Sequence, residues 1–151
     1  MKRFVLLLAL AGCGLGPEDS PPPSPPLHPL AYVSQGLAGN DDIFILSADA
    51  SSDVNLTANA QYDSWPSWSP TGTAIAFESN RDDPAHTEVY IIQVSDGFLT
   101  RLTNDTGWAD AQPAWSPLNN RIAFVSNRDS GQGFDIYLMN TDGQNVTRLT
   151  T

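Results

Sequence analysis

Two stretches of this chain spell the same pattern at a fixed offset, and that limits the fold more than any composition does. Residues Asp63 to Thr103 contain Asp-Ser-Trp-Pro-Ser-Trp-Ser-Pro, Ile-Ala-Phe-Glu-Ser-Asn-Arg-Asp, Val-Tyr-Ile-Ile, Asp-Gly and Arg-Leu-Thr. From Asp110 the chain runs Pro-Ala-Trp-Ser-Pro, Ile-Ala-Phe-Val-Ser-Asn-Arg-Asp, Ile-Tyr-Leu-Met, Asp-Gly and Arg-Leu-Thr. Trp68 and Trp115, Arg81 and Arg128, Tyr90 and Tyr137, and Leu102 and Leu149 each stand 47 positions apart. A fixed period in the range of about 20 to 50 residues implies a solenoid, a propeller or an array of like units.

Within each repeat, short apolar or β-branched runs are punctuated by turn residues, as in an all-β meander; helical periodicity is absent. The pattern predicts four strands per unit: Ser64–Ser69, Ala74–Ser79, Glu88–Val94 and Leu99–Thr103, then Ala111–Ser116, Arg121–Ser126, Asp135–Asn140 and Val146–Thr150. A shorter copy precedes them, with strands over Leu30–Ser34, Asp42–Leu46 and Asn55–Thr57. From third-strand aromatic to fourth-strand leucine the distance is 12 residues in all three copies, Phe44 to Leu56, Tyr90 to Leu102 and Tyr137 to Leu149. Ile75-Ala76-Phe77 and Val89-Tyr90-Ile91-Ile92 are continuous apolar runs, so both faces of those strands should be buried. Stacked four-stranded sheets satisfy that, and they favour propeller blades over an immunoglobulin-like sandwich.

The order Pro-x-Trp-Ser-Pro, Ile-Ala-Phe-x-Ser-Asn-Arg-Asp, Ile-Tyr, Asp-Gly, Arg-Leu-Thr resembles the repeat of TolB-like β-propellers over Leu30 to Thr151. The resemblance implies an all-β fold of four-stranded antiparallel blades. There are about three of them, a partial blade over 30–57 and blades over 63–103 and 110–150. Propellers typically have four to eight blades, so the reading expects either a longer chain or self-association that completes the ring. TolB itself belongs to the Tol-Pal system, but TolB proteins carry an extra N-terminal α/β domain and are not lipoproteins, so that role is not carried over.

Individual residues also have local reasons. Trp68 and Trp115 offer large apolar area to a neighbouring blade, with an indole N–H that needs one acceptor; stacking on a sugar is the alternative. Pro70 and Pro117 start the first turn, and Asp96-Gly97 and Asp142-Gly143 suit the left-handed conformations of a tight hairpin. Where the TolB-like pattern has Asp-Gly after Ser-Pro, this chain has Thr71-Gly72 and Leu118-Asn119-Asn120.

In an up-and-down sheet successive turns alternate ends, so the second-to-third loops and the crossovers between blades share one face. That face collects the candidate binding residues Asp41, Asp42, Tyr62, Asp63, Arg81, Asp82, Asp105, Trp108, Asp110, Arg128 and Asp129. Loops on a rigid scaffold are where binding groups tend to sit. The competing account is that Arg81 and Arg128 pair with nearby aspartates and only order the loops.

The N-terminus carries a different message. Met1-Lys2-Arg3 is basic, Phe4 to Leu10 is apolar and too short to span a bilayer, and Leu10-Ala11-Gly12-Cys13 follows. This resembles a bacterial lipobox, which implies cleavage after residue 12 and acyl chains such as palmitate on Cys13, the only cysteine. A cleaved secretory signal with an incidental Cys13 is the alternative. Gly14, rather than Asp, leans toward the outer membrane of a bacterial cell envelope. Residues 13–29 then form a Pro-rich, extended tether. The formal charge is −10 and Lys2 is the only lysine, which argues against nucleic acid as a partner.

No phosphate loop, Gly-x-Ser-x-Gly turn or helix-borne metal motif is present. The acidic loops, and the segment from Asp83 to Glu88, lack a metal-binding spacing, so no cofactor is expected. The reading is therefore a lipid-anchored, non-enzymatic binding or scaffold module whose partner is an envelope protein or peptide. The alternative is the N-terminal propeller piece of a larger enzyme such as a serine peptidase, which a reading frame continuing past Thr151 into Gly-x-Ser-x-Gly would support.

Overall fold

The computed structural model describes residues 29–118, 120–129 and 133–150. They form three antiparallel sheets, each made of strands that pair in chain order. The first contains β1 (Leu30–Gln35), β2 (Asp41–Leu46) and β3 (Asp53–Asn55). The second contains β4 (Asp63–Trp68), β5 (Ala74–Ser79), β6 (Glu88–Gln93) and β7 (Leu99–Arg101). The third contains β8 (Asp110–Trp115), β9 (Arg121–Ser126), β10 (Asp135–Asn140) and β11 (Thr147–Arg148). We refer to them as blades 1, 2 and 3.

The second and third strands lie where the apolar runs predicted them, but every fourth strand ends sooner than expected. One threonine explains all three cases. Thr57, Thr103 and Thr150 each turn the side-chain oxygen inward to accept the amide of Ile43, Val89 and Ile136, at 2.9 Å. The preceding leucine amides bond the carbonyls of the same three residues. A hydroxyl has replaced the main-chain rung, so the ladder stops before the Leu-Thr pair.

The first strands of blades 2 and 3 begin one residue early, at Asp63 and Asp110, and each carries a bulge. Pairing jumps from Ser64↔Glu78 to Ser67↔Ala76, so Trp65 and Pro66 together oppose Phe77. Trp65 and Gln112 have φ of 53° and 51°, a left-handed conformation that few non-glycine residues adopt. Proline supplies no ladder donor and is tolerated at such a bulge.

The core lies between the blades. On β5, Ile75 and Phe77 point one way and Ala74 and Ala76 the other, and all are buried. The large side chains join Tyr90, Ile92 and Ile43 against blade 1, while the alanines join Val89 and Ile91 against Ile122, Phe124, Tyr137 and Met139 of blade 3. Each junction thus packs the bulky aromatic face of one blade onto a smaller-residue face of the blade before it. Fully burying such side chains contributes about 1.5–3 kcal/mol each. Trp68 packs on the first cluster and Trp115 on the second, yet neither buried indole N–H has a partner. The outer face of blade 3 leaves Ile136 and Leu149 exposed, at positions matching Val89 and Leu102.

Each hairpin turn between third and fourth strands divides its labour. Gly97 and Gly143 take φ of 71° and 81°, whereas Asp96 and Asp142 do not adopt the left-handed form expected of the pair. Their carboxylates instead accept the amides of Phe98 and Gln144, each at 2.9 Å. A Cβ on Gly97 would meet nothing within 4 Å, but one on Gly143 would lie 2.5 Å from the carbonyl oxygen of Leu102. Gly97→Ala should therefore cost about 1–2 kcal/mol of backbone strain. Gly143→Ala should cost about 1–3 kcal/mol more, because the methyl group forces blade 3 away from blade 2. Urea denaturation of the two variants side by side checks this; equal losses would contradict it.

Candidate functional site

The Ser-Asn-Arg-Asp signature closes a network within its own blade. Arg81 Nη2 lies 2.8 Å from Asp63 Oδ1, and Arg81 Nε donates to Ser79 Oγ at 3.0 Å. The guanidinium sits 5.1 and 5.0 Å from the ring centroids of Phe77 and Tyr90, themselves stacked 5.8 Å apart. Tyr90 donates its hydroxyl to Asp82 at 2.7 Å. Asn80 Oδ1 accepts the amide of Tyr62 at 2.9 Å and so ties the loop to the crossover. Blade 3 repeats each contact: Arg128 with Asp110 and Ser126, over Phe124 and Tyr137, with Tyr137 donating to Asp129 and Asn127 accepting from Ala109. Desolvated cation–π contacts of this kind contribute roughly 2 kcal/mol.

Arg128 also reaches Asp105 of the crossover at 2.7 Å. Burial pushes the Asp105 carboxyl up against the pull of Arg128, and neighbouring Asp110 adds to the rise. Asp63 and Asp110 are fully buried. Asp63 and Arg81, and Asp110 and Arg128, thus pair within their own blades, whereas Asp82, Asp129 and Trp108 remain exposed at the same end and Asp41 and Tyr62 half-buried. Cys13 lies outside the described residues.

A second repeated pair was not singled out from the sequence. Arg101 donates to Glu88 at 2.8 Å, and Arg148 to Asp135 at 2.5 Å. Thr103 and Thr150 donate to the same carboxylates. The acid precedes the arginine by 13 residues in both copies, and in blade 1 Asp42 precedes Asn55 by the same interval and accepts from its amide at 2.7 Å. That spacing was the available signal.

Where blades 2 and 3 meet, Glu78 departs from the repeat, since Val33 and Val125 hold the matching positions. Its Oε2 accepts the amide of Gln112, the bulge residue of blade 3, at 2.8 Å. Ser67 Oγ accepts the amide of Trp115 nearby at 2.9 Å. Burial pushes the Glu78 carboxyl above its usual range, with the Gln112 amide and Tyr62 hydroxyl pulling the other way.

Two depressions accompany these networks. A crevice of about 240 Å³ between blades 2 and 3 is lined by Ser69, Thr71, Thr73, Gln93, Trp115 and Thr141 among others, at the tight-turn end. A larger one of about 530 Å³ lies on blade 1 at the loop end, lined by residues that include Gly36, Leu37, Asp42, Phe44, Asn55 and Asn59. Among the described residues, no group of three or more His, Cys, Asp or Glu side chains is placed to hold a metal ion.

No family model matches the chain, and no curated protein sequence matches it. Solved structures do. A protein assigned as TolB from Agrobacterium tumefaciens is 25% identical, with a TM-score of 0.69 over 80% of this chain and 44% of that one. TolB from Acinetobacter baumannii is 22% identical, with a TM-score of 0.69 over 82% and 30%. A puromycin-hydrolysing peptidase of Mycobacterium tuberculosis is 21% identical, with a TM-score of 0.58 over 74% and 18%. The chain has a TolB-like β-propeller-type fold and spans less than half the length of each of these proteins.

Glu78 has a folded pKa raised above the reference value of 4.5, so in that interval the folded state holds more protons than the unfolded one. Its contribution is then most favourable below 4.5 and declines as pH rises through the folded pKa. Glu78→Gln keeps an acceptor for the Gln112 amide and removes the charge. The variant should be at least as stable as the parent at pH 7, with a flatter stability profile from about pH 4.5 upward. Denaturant melts across that range measure it; parallel profiles would refute the assignment.

Proposed function

We propose that this protein is a lipid-anchored, non-catalytic binding or scaffold module of a bacterial cell envelope, presenting its loop end to a protein or peptide. The supporting observation is a division within the repeat. The arginines and the strand-heading aspartates are consumed in holding each blade together, while Asp82, Asp129 and Trp108 sit exposed on loops anchored by those networks. Rigidly held exposed groups are suited to recognition, because little ordering entropy is lost when they bind. The similarity to TolB structures fits an envelope role, and the lipobox-like segment ending at Cys13 supplies the anchor.

A second reading, a propeller segment of a larger peptidase, draws on the similarity to the Mycobacterium tuberculosis enzyme. In that case the blades would filter access to a catalytic domain.

Two measurements test the first reading in a diderm bacterium. Cys13→Ser should move the full chain from the membrane fraction to the soluble periplasmic fraction and abolish incorporation of labelled palmitate; unchanged fractionation would remove the anchor. A photo-crosslinking residue at Trp108 or Asp82 should give discrete adducts with an envelope protein, and one at Thr71 on the opposite end should not. Adducts from neither end, or equally from both, would count against the loop face.

A further inference from the structure

We propose that the depression on blade 1 is a socket for an arginine side chain of the partner. This rests on the reading above that the loop end binds a protein or peptide, and it specifies the chemistry of what is bound.

The chain's own repeats supply the template. In blades 2 and 3 a guanidinium lies over the aromatic pair, and a second one pairs with the acid at the start of the third strand. Blade 1 has no first strand and so no counterpart of Asp63 or Asp110, but it keeps the aromatic pair and the third-strand acid. Tyr32 and Phe44 occupy the aromatic positions with centroids 5.6 Å apart, and Asp42 occupies the acid position, 1% exposed. The cations are what changed. Gly36 stands at the sequence position of Arg81, and Asn55 pairs in register at the position of Arg101. No Lys, Arg or His occurs anywhere in residues 30–57.

The replacements are correlated. Phe44 lacks the hydroxyl that Tyr90 gives to Asp82, and at the position of Asp82 stands Leu37. An acceptor with no donor to receive has been exchanged for an apolar rim, suited to the methylene stem of an incoming arginine. The two Asp42 oxygens take one bond each, from Asn40 Nδ2 at 3.0 Å and Asn55 Nδ2 at 2.7 Å, and a carboxylate has about four acceptor positions. Asn40 Oδ1 beside it is buried with no hydrogen-bond partner. The chain is strongly acidic overall, at −10, which favours a cationic visitor. The result is a depression of about 530 Å³ walled by Phe44 and Leu37, with Asp42 among its lining residues. A planar cation with several donors fits it better than an ammonium does, since it can stack and bond at once.

The test is an amide-resolved NMR titration of the full chain with a blocked Gly-Arg-Gly peptide, compared with the same peptide carrying citrulline, a neutral isostere. Saturable shifts at Gly36, Asp42, Phe44 and Asn55, with Kd on the order of 1 mM and at least about tenfold weaker binding by citrulline, support the socket. Phe44→Leu should weaken arginine binding several-fold while leaving the remaining spectrum in place, and Asp42→Asn should weaken it further if blade 1 stays folded. No shifts, equal shifts with citrulline, or shifts confined to Asp105 and Trp108 would overturn the socket. So would calcium moving these amides where arginine does not. Crosslinked partners at Trp108 with no arginine-specific shifts would overturn the socket and leave the envelope-module reading standing. Arginine-specific shifts with no crosslinked partner from any loop would do the reverse.

Discussion

A carboxylate with no solvent contact heads the first strand of each full blade, and much of the local design follows from neutralising it. Asp63 and Asp110 are 0% exposed. Leaving one such charge without a partner costs about 3–5 kcal/mol, a large share of the 5–15 kcal/mol that stabilises a typical domain. The cation therefore has to be held firmly. Its Nε is fixed by the serine that ends the second strand, its flat face rests on two rings, and the outer ring is itself pinned by a hydroxyl bond to the next aspartate. Each repeated element of the signature fills one place in that chain of support. Lysine could not replace the arginine, having neither the planar face nor the fork of donors.

Much of this could be read from the residues, for reasons that are particular. In blade 2 the second and third strands are buried on both sides, and in blade 3 the same apolar runs recur although one face is open; the reading of Ala74–Ser79, Arg121–Ser126 and Asp135–Asn140 matches the observed strands. The fourth strands end sooner than the residues suggest, because Arg-Leu-Thr looks like ordinary β sequence. Only the inward turn of the threonine hydroxyl, a tertiary event, cuts it short. The bulges were invisible because Trp65 and Gln112 are not residues that advertise positive φ. At the loop end the spacing brought out Arg81 and Arg128 but left two roles open, and burial of Asp63 and Asp110 decided their immediate contacts. Glu88 with Arg101, and Glu78 with the neighbouring blade, are hard to read from the residues because their partners lie across strands or sheets.

Differences between the copies carry as much information as the likeness. Where all blades share a residue, its contacts are those that any blade needs. Where one blade departs, as at Glu78 on the blade 2–3 junction or Gly36 and Asn55 in blade 1, the departure marks a particular neighbour. Glu78 has traded a valine's packing for an acceptor that fixes the bulge of blade 3, and the gain is positional rather than energetic, since burial disfavours its charge.

The uneven faces of β5 have a further consequence. Every blade has one bulky aromatic side and one side of smaller residues, and at both junctions the aromatic side of the later blade meets the smaller side of the earlier one. Such contacts are heterologous, so stacking has a polarity, like bricks with a stud on one side and a hollow on the other. Any added blade, from this chain or another, must join in the same rotational sense. Two copies pressed together through a pair of identical faces would set aromatic rings against rings or small side chains against small ones. The geometry that closes a ring therefore also disfavours that face-to-face dimer.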